Sequence, residues 1–330
     1  MYSVVYLVNG LSKTSIPWRW ADFFNTHSAK YKIVLLNVKK ILKIDKTTKI
    51  VHGHHIKAMF LFLVLNFLFN KKNVYTVHGS YLFLSDTNKK LLKYIFQKTN
   101  HVIFVNKKLY DVLPEEIKKI IVDKYSIVLN GVEIGYKYKE SDVYDKFSID
   151  ENDIILFHPA RFVKEKNHIR VLSALKILVE KNKKIKLVLA GDGALKDEIE
   201  SHISKLGLSD NVIMLGMIER DEVYNFLKRC DLFLMPSVSE GLNIAFLEAI
   251  SMHARVLVSD IEQFVYPVQA YGLNPDDLNI AFANPLDEKD IANKIEILLA
   301  KEKNYDYDCA DFSLETMMKK YEEIYDELLK

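Results

Sequence analysis

Cysteine is nearly absent. Cys230 and Cys309 are the only two among 330 residues, too few for a disulfide framework and without the clustered partners of a structural zinc site. Such usage fits a reducing compartment. Glycine (11 residues) and proline (7) are also scarce, which excludes collagen-like and low-complexity chains and favours long regular elements with short joints. Long hydrophobic runs are missing too. The most apolar stretch, "AMFLFLVLNFLF" from Ala58 to Phe69, has 12 residues, short of the ~20 that a membrane-spanning helix needs. The opening "MYSVVYLVNG" lacks the basic start of a signal peptide and reads as a strand. The dinucleotide fingerprint G-x-G-x-x-G occurs nowhere.

What is present is ordinary folded-protein material, 49% apolar and 27% charged, over a length that predicts two domains. The net charge of +2 hides an asymmetry. Residues 1–150 hold 24 Lys and Arg against 12 Asp and Glu, and the remainder holds 22 against 32. A basic body is thus joined to an acidic one. The basic body could face anionic lipid, nucleic acid or a phosphorylated substrate, or it could be a lysine-rich solvated surface. Lys57 and Lys71-Lys72 flank the 58–69 run, so that helix could be buried against a sheet or could lie on a membrane surface.

Apolar strand patterns alternate with helical ones throughout. "SVVYLV", "KIVLLN", "KIVHG", "NVYTV", "HVIFV" and "YSIVL" read as strands of the first half, with helices between most of them. Fully apolar strands in such alternation predict a parallel sheet covered on both faces. A polar passage near 136–154 predicts the interdomain linker. The rhythm then restarts: "DIILFHP", the helix "NHIRVLSALKILVEKN", "KLVLA", "NVIMLG", "DLFLMP" and "RVLVS". We expect an α/β architecture of two Rossmann-like, doubly wound domains, residues 1–145 and 146–312. The last helix, 313–330, is expected to pack back on the first domain.

Open α/β sheets bind ligands beyond the carboxyl ends of their strands, and three segments converge there. "HPARFVKEKNH" carries Arg161 and Lys166 just after a strand, two cations suited to a diphosphate. "AGDGAL" places Gly191 and Gly193 in a tight turn after the next strand. "PSVSEGLNIAFLEAIS" carries Glu240 at a turn and Glu248 among apolar neighbours. A buried carboxylate needs a partner, either another side chain or a ligand. A helix starting near Gly241 would offer free N–H groups to an anion, and Glu248 could accept hydrogen bonds from both hydroxyls of a ribose.

In order and spacing, "RFVKEKN", "LVLAGDG", "NVIMLG", "CDLFLMPSVSEGLNIAFLEAIS" and "VLVSD" resemble the family 4 (group 1) retaining glycosyltransferases of the GT-B fold, the type that builds bacterial surface polysaccharides. "VHGHH", "YTVHGSY", "HVIFVNKKLYDVL" and "VLNGVE" resemble the family's first half less strongly. The resemblance implies two domains facing across a cleft and transfer of a hexose-type sugar from a nucleotide-diphosphate donor, with retention and without an active-site metal. UDP is the favoured donor nucleotide over GDP, and no cofactor is implied. The acceptor would be a glycan or a lipid-linked sugar, with no nucleic-acid partner, in the cytoplasm or at the inner face of the cytoplasmic membrane. By position, Arg161 and Lys166 would bind the diphosphate, with Gly241, Leu242 and Asn243 supplying backbone donors and Gly10 in the first-strand loop. Glu248 would hold the ribose, and Gly191 and Gly193 would form a turn near the nucleotide. Glu240 would contact the transferred sugar near its reacting centre, and His78 would face that sugar from the first domain. Where the family reads E-G-F-G, this chain has Glu240-Gly-Leu-Asn. A nucleotide-sugar epimerase of the same fold and a non-catalytic partner subunit are the alternatives. His52, His54 and His55 have a spacing a metal could use but lack a nearby carboxylate or cysteine. "DYD" at Asp306–Asp308 is expected to be a solvated connector.

Overall fold

The computed structural model describes residues 2–8, 16–240, 244–270, 274–302 and 307–330. The chain divides into two units. One comprises Met1–Gly131 together with Phe312–Lys330, and the other Val132–Asp311.

Six strands form the sheet of the first unit: β1 Tyr2–Val8, β2 Tyr31–Asn37, β3 Thr48–Gly53, β4 Lys72–Val77, β5 His101–Phe104 and β6 Tyr125–Ile127. Every pairing is parallel, in the order β2-β1-β3-β4-β5-β6. The chain winds outward from β1 first to one side and then to the other, so the order reverses between β1 and β3. Central strands are apolar along their length because helices cover both faces; Val4, Tyr6, Leu7, Ile50 and Val51 are all buried.

The helix Ile56–Phe69 is apolar on every side but only half enclosed. Ala58, Met59, Phe62 and Leu63 pack into the core. Leu61 (40% exposed), Val64 (43%), Leu68 (60%) and Phe67 (78%) face outward. The expected burial against the sheet holds for one face of this run, and the other face is exposed. The helix ends at Asn70 in the left-handed region (φ 47°), whose N–H donates to the Asn66 carbonyl at 2.7 Å.

The terminal helix Leu314–Leu329, N-capped by Ser313, packs on this first unit. Tyr321 and Tyr325 are fully buried. The Tyr325 hydroxyl lies 2.7 Å from His52 Nδ1 and 3.2 Å from the Tyr6 hydroxyl. Lys30 pairs with Asp326 at 2.5 Å, and Tyr31 and Ser28 donate to Asp326 and Glu322.

The second unit repeats the plan with β7 Ile154–Pro159, β8 Ile185–Ala190, β9 Val212–Gly216, β10 Leu232–Met235, β11 Val256–Ser259 and β12 Ile280–Ala283. These are all parallel, in the order β12-β11-β10-β7-β8-β9. Here the order reverses between β7 and β10. Residues 132–145, expected to close the first domain, belong to this unit. Asp142 caps the short helix Val143–Phe147. Ser141 N donates to Asn225 Oδ1 at 3.1 Å, and Asn225 Nδ2 donates to the Lys139 carbonyl at 2.9 Å. Polarity marked this stretch as a linker, but its polar groups bond to the helix Arg220–Arg229 rather than to water alone.

Candidate active site

The reversal between β7 and β10 opens the crevice where doubly wound sheets take ligands, and the three segments singled out in the sequence meet around it. Hydrogen bonds fix them to one another. His158, fully buried at the end of β7, lies 2.7 Å through Nδ1 from the Leu234 carbonyl of β10 and 3.2 Å through Nε2 from the Lys166 carbonyl. Asn167 donates from Nδ2 to the Pro236 carbonyl (2.9 Å) and the Pro285 carbonyl (2.7 Å). Val238 N donates to the Glu165 carbonyl at 2.9 Å, and Ser259 Oγ to the Ser237 carbonyl at 2.5 Å. The loop after β7 and the segment after β10 are therefore laced together.

The glycine turn after β8 closes on the same loop. A Cβ at Gly191 would stand 2.1 Å from the Ala160 carbonyl oxygen, and one at Gly193 would stand 2.5 Å from that of Phe162. Backbone bonds run from Phe162 N to the Asp192 carbonyl (2.9 Å) and from Leu195 N to the Phe162 carbonyl (3.0 Å). Only a residue without a side chain permits that approach.

Within this frame Lys166 Nζ donates to Glu240 Oε1 at 2.5 Å. The Glu240 side chain is 7% exposed and that of Lys166 is 17% exposed. Arg161 sits at the start of the same loop, exposed. Gly241, Leu242, Asn243 and Gly10 lie outside the described residues, as does the expected helix start at Gly241; the described helix runs Ile244–Ser251. Glu248 is buried in it with Phe246, Leu247, Ala249 and Ile250. Its carboxylate has a protein partner that the sequence did not reveal: Arg220 Nη2 donates to Oε1 at 3.2 Å. Arg220 in turn lies over the Tyr136 ring at 3.8 Å and donates to the Tyr224 hydroxyl at 3.0 Å. Burial opposes its charge, but Tyr224, Glu248 and Tyr136 outweigh that and hold the guanidinium pKa above its ordinary value.

In the first unit, the order reversal between β1 and β3 puts His54 at the corresponding edge, and His78 follows the neighbouring strand β4. His54 Nδ1 lies 3.0 Å from His78 Nε2, and the rings of His52, His54 and His78 stack in succession at 4.4 and 5.3 Å. His52 is bracketed by the Tyr325 and Thr76 hydroxyls at 2.7 and 2.6 Å. Burial, with a smaller push from His55, lowers His78 to about 4. His52 and His54 are pushed down chiefly by burial as well. The cluster is a neutral, hydrogen-bonded ladder at neutral pH. Among the described residues no group of three or more His, Cys, Asp or Glu side chains is arranged to hold a metal ion.

Sequence reasoning singled out Lys166, Glu240 and Glu248 but not their structural partners Arg220, His158 and Asn167. A visible signal was available only for Asn167, a residue tolerant of the left-handed region between two regular elements, where its φ is 63°.

A family model described as "Glycosyl transferases group 1" matches residues 140–311. An Escherichia coli UDP-Gal:alpha-D-GlcNAc-diphosphoundecaprenol alpha-1,3-galactosyltransferase is 28% identical over 245 residues, covering 69% of this chain and 61% of that protein. A Campylobacter jejuni enzyme that is named as an N-acetylgalactosaminyltransferase acting on a diphospho-undecaprenol-linked sugar is 28% identical over 179 residues, 50% of this chain and 48% of its own. The first three curated relatives are matched over 27%, 38% and 61% of their lengths. Among solved structures, Anabaena Alr3699/HepE in complex with UDP and glucose superposes with a TM-score of 0.80 at 15% identity, covering 99% of this chain and all of that one.

Proposed function

The chain belongs to the group 1 glycosyltransferases, with their GT-B fold, and on that footing we propose that it moves a hexose-type sugar from a UDP-sugar to a lipid-linked acceptor, with retention at the anomeric carbon. The observation that carries this reading is the Lys166–Glu240 pair at the strand-order reversal, with Arg161 on the same loop. An ammonium has three donors, so Lys166 can keep Glu240 while turning another N–H toward a phosphate oxygen. Arg161 is exposed and can add a planar fork. Together with backbone N–H groups of Gly241, Leu242 and Asn243, these cations would stabilise the nucleoside diphosphate as it departs, the step at which negative charge develops. No divalent metal is needed in that scheme.

Glu240, held by Lys166, would accept from hydroxyls of the transferred sugar. Glu248 would take the ribose hydroxyls, with Gly191 and Gly193 keeping the nucleotide-side turn tight. The acceptor reading draws on the relatives named for diphosphoundecaprenol-linked substrates and on this chain's own surface. The first unit carries 24 Lys and Arg against 12 Asp and Glu. Its helix Ile56–Phe69 presents Leu61, Val64, Phe67 and Leu68 outward, between Lys57 and Lys71-Lys72. We place that face on the anionic inner leaflet of the cytoplasmic membrane, where such an acceptor resides.

Calorimetric titration of UDP, GDP and ADP into the wild type and Lys166→Ala, without metal, tests the donor site. Micromolar UDP binding, weakened at least about tenfold in the variant, supports it. Absence of binding by any of the three refutes it.

A further inference from the structure

Glu248 occupies a helix whose flanking residues are buried, yet one of its oxygens is held by a cation from a distant part of the chain. Arg220 stands 28 residues earlier, just after the edge strand β9. It opens the helix Arg220–Arg229, whose start is fixed by a reciprocal box: the Glu219 side chain accepts from the N3 backbone N–H, and the Glu222 side chain accepts from Glu219 N at 2.8 Å. Glu222 is also paired with Lys146. The guanidinium itself is fixed again by the Tyr136 ring at 3.8 Å, the Tyr224 ring at 5.1 Å and the bond to the Tyr224 hydroxyl. So many restraints on one side chain leave it little freedom except to point at Glu248.

We infer that Arg220 is a positioning residue: it holds the Glu248 carboxylate in the orientation that receives the two ribose hydroxyls of the donor nucleotide. The inference rests on the donor reading above. A carboxylate has about four lone-pair directions. A guanidinium contact on Oε1 leaves acceptor capacity while removing the rotation that a lone glutamate side chain retains. A binding group locked by its own supporting contacts loses less freedom when ligand arrives, and this is what supporting residues contribute to a site. Tyr136 takes part through Arg220, so the segment that leads into the second unit helps to set the nucleotide site.

The experiment measures a ratio: the Kd of the 2′,3′-dideoxy nucleotide over that of the ribonucleotide, for whichever of UDP, GDP and ADP binds the wild type best. Two hydroxyl-to-carboxylate bonds predict a wild-type ratio of at least about 30. Glu248→Gln should bring it close to 1. Arg220→Gln should lower it to within about threefold of the Glu248→Gln value while the dideoxy nucleotide binds as it does to the wild type, and Arg220→Lys should fall between. If Arg220→Gln keeps the wild-type ratio, or weakens both nucleotides equally, the positioning role is wrong although Glu248 still seats the ribose. If Glu248→Gln keeps the wild-type ratio, the ribose assignment fails and the role of Arg220 falls with it. Circular dichroism melts of each variant confirm that the fold persists.

Discussion

Lys166 and Glu240, 74 residues apart, are joined at 2.5 Å across the crevice where the strand order of the second sheet reverses. The pair is mostly shielded from water, so each charge depends on the other. Removing one partner leaves a nearly buried charge uncompensated, which costs more than the pair itself contributes. We expect Glu240→Gln to leave UDP binding within about threefold of wild type, because Lys166 remains to meet the diphosphate. Sugar transfer should drop by about 10²–10³-fold, the usual loss when one preorganised polar contact to the reacting centre goes. Initial rates with a UDP-hexose, alongside calorimetry, check both. Unchanged turnover removes Glu240 from the reacting centre.

Gly191 and Gly193 answer to sterics rather than to chemistry. Gly191→Ala would force its Cβ to 2.1 Å from the Ala160 carbonyl oxygen, so turn and loop must separate. The loop carries Arg161 and Lys166, and the expected result is a fall in the melting temperature together with at least a tenfold loss of UDP affinity. A variant that melts and binds like wild type would show that the turn can yield without disturbing the cations.

Asn167 ties three segments with one amide. Asn167→Ala removes donors to Pro236 and Pro285 and places alanine at φ 63°. Two stranded carbonyls and left-handed strain predict about 2–4 kcal/mol of destabilisation. Asn167→Gly relieves the strain alone and should recover about 1 kcal/mol of it. Urea melts followed by circular dichroism distinguish the two variants.

Acid should destabilise the protein through its histidines. His78 and His158 are both held near 4, chiefly by burial, whereas in the unfolded chain they titrate near 6.5. Their contribution is therefore fully present above about pH 6.5 and is lost as pH falls toward 4, because the unfolded state takes up protons first. The melting temperature should fall across that window, and His158→Gln should flatten part of the slope. A melting temperature that holds constant from pH 7 to 4.5 contradicts the neutral, buried state of His78 and His158.

The outward face of the helix Ile56–Phe69 supplies a surface test. Leu61→Gln combined with Leu68→Gln alters exposed positions and should change stability by less than about 1 kcal/mol. Co-sedimentation with vesicles containing phosphatidylglycerol should fall severalfold, with UDP binding intact. Equal co-sedimentation of both proteins would leave the helix as core cover only.

Alternation of apolar strands with helical patterns determined the two doubly wound units, because a strand buried on both faces has no polar side to show. The positions of Lys166, Glu240, Glu248 and the two glycines were legible for the same reason: each follows an apolar strand run, and strand ends are where open sheets bind ligands. The resemblance of "RFVKEKN" and "SEGLNIAFLEAIS" to group 1 glycosyltransferases suggested the roles proposed for them, which composition alone did not contain. Tertiary structure decided the partners. Nothing in the spacing of Arg220 and Glu248, or of Lys166 and Glu240, says that they touch. Each pair joins segments that follow strands separated in sequence, and only the winding order brings them to one edge. Residues 136–145 misled for a related reason. Their polarity was visible, but whether a polar group meets water or Asn225 depends on where the helix Arg220–Arg229 lies.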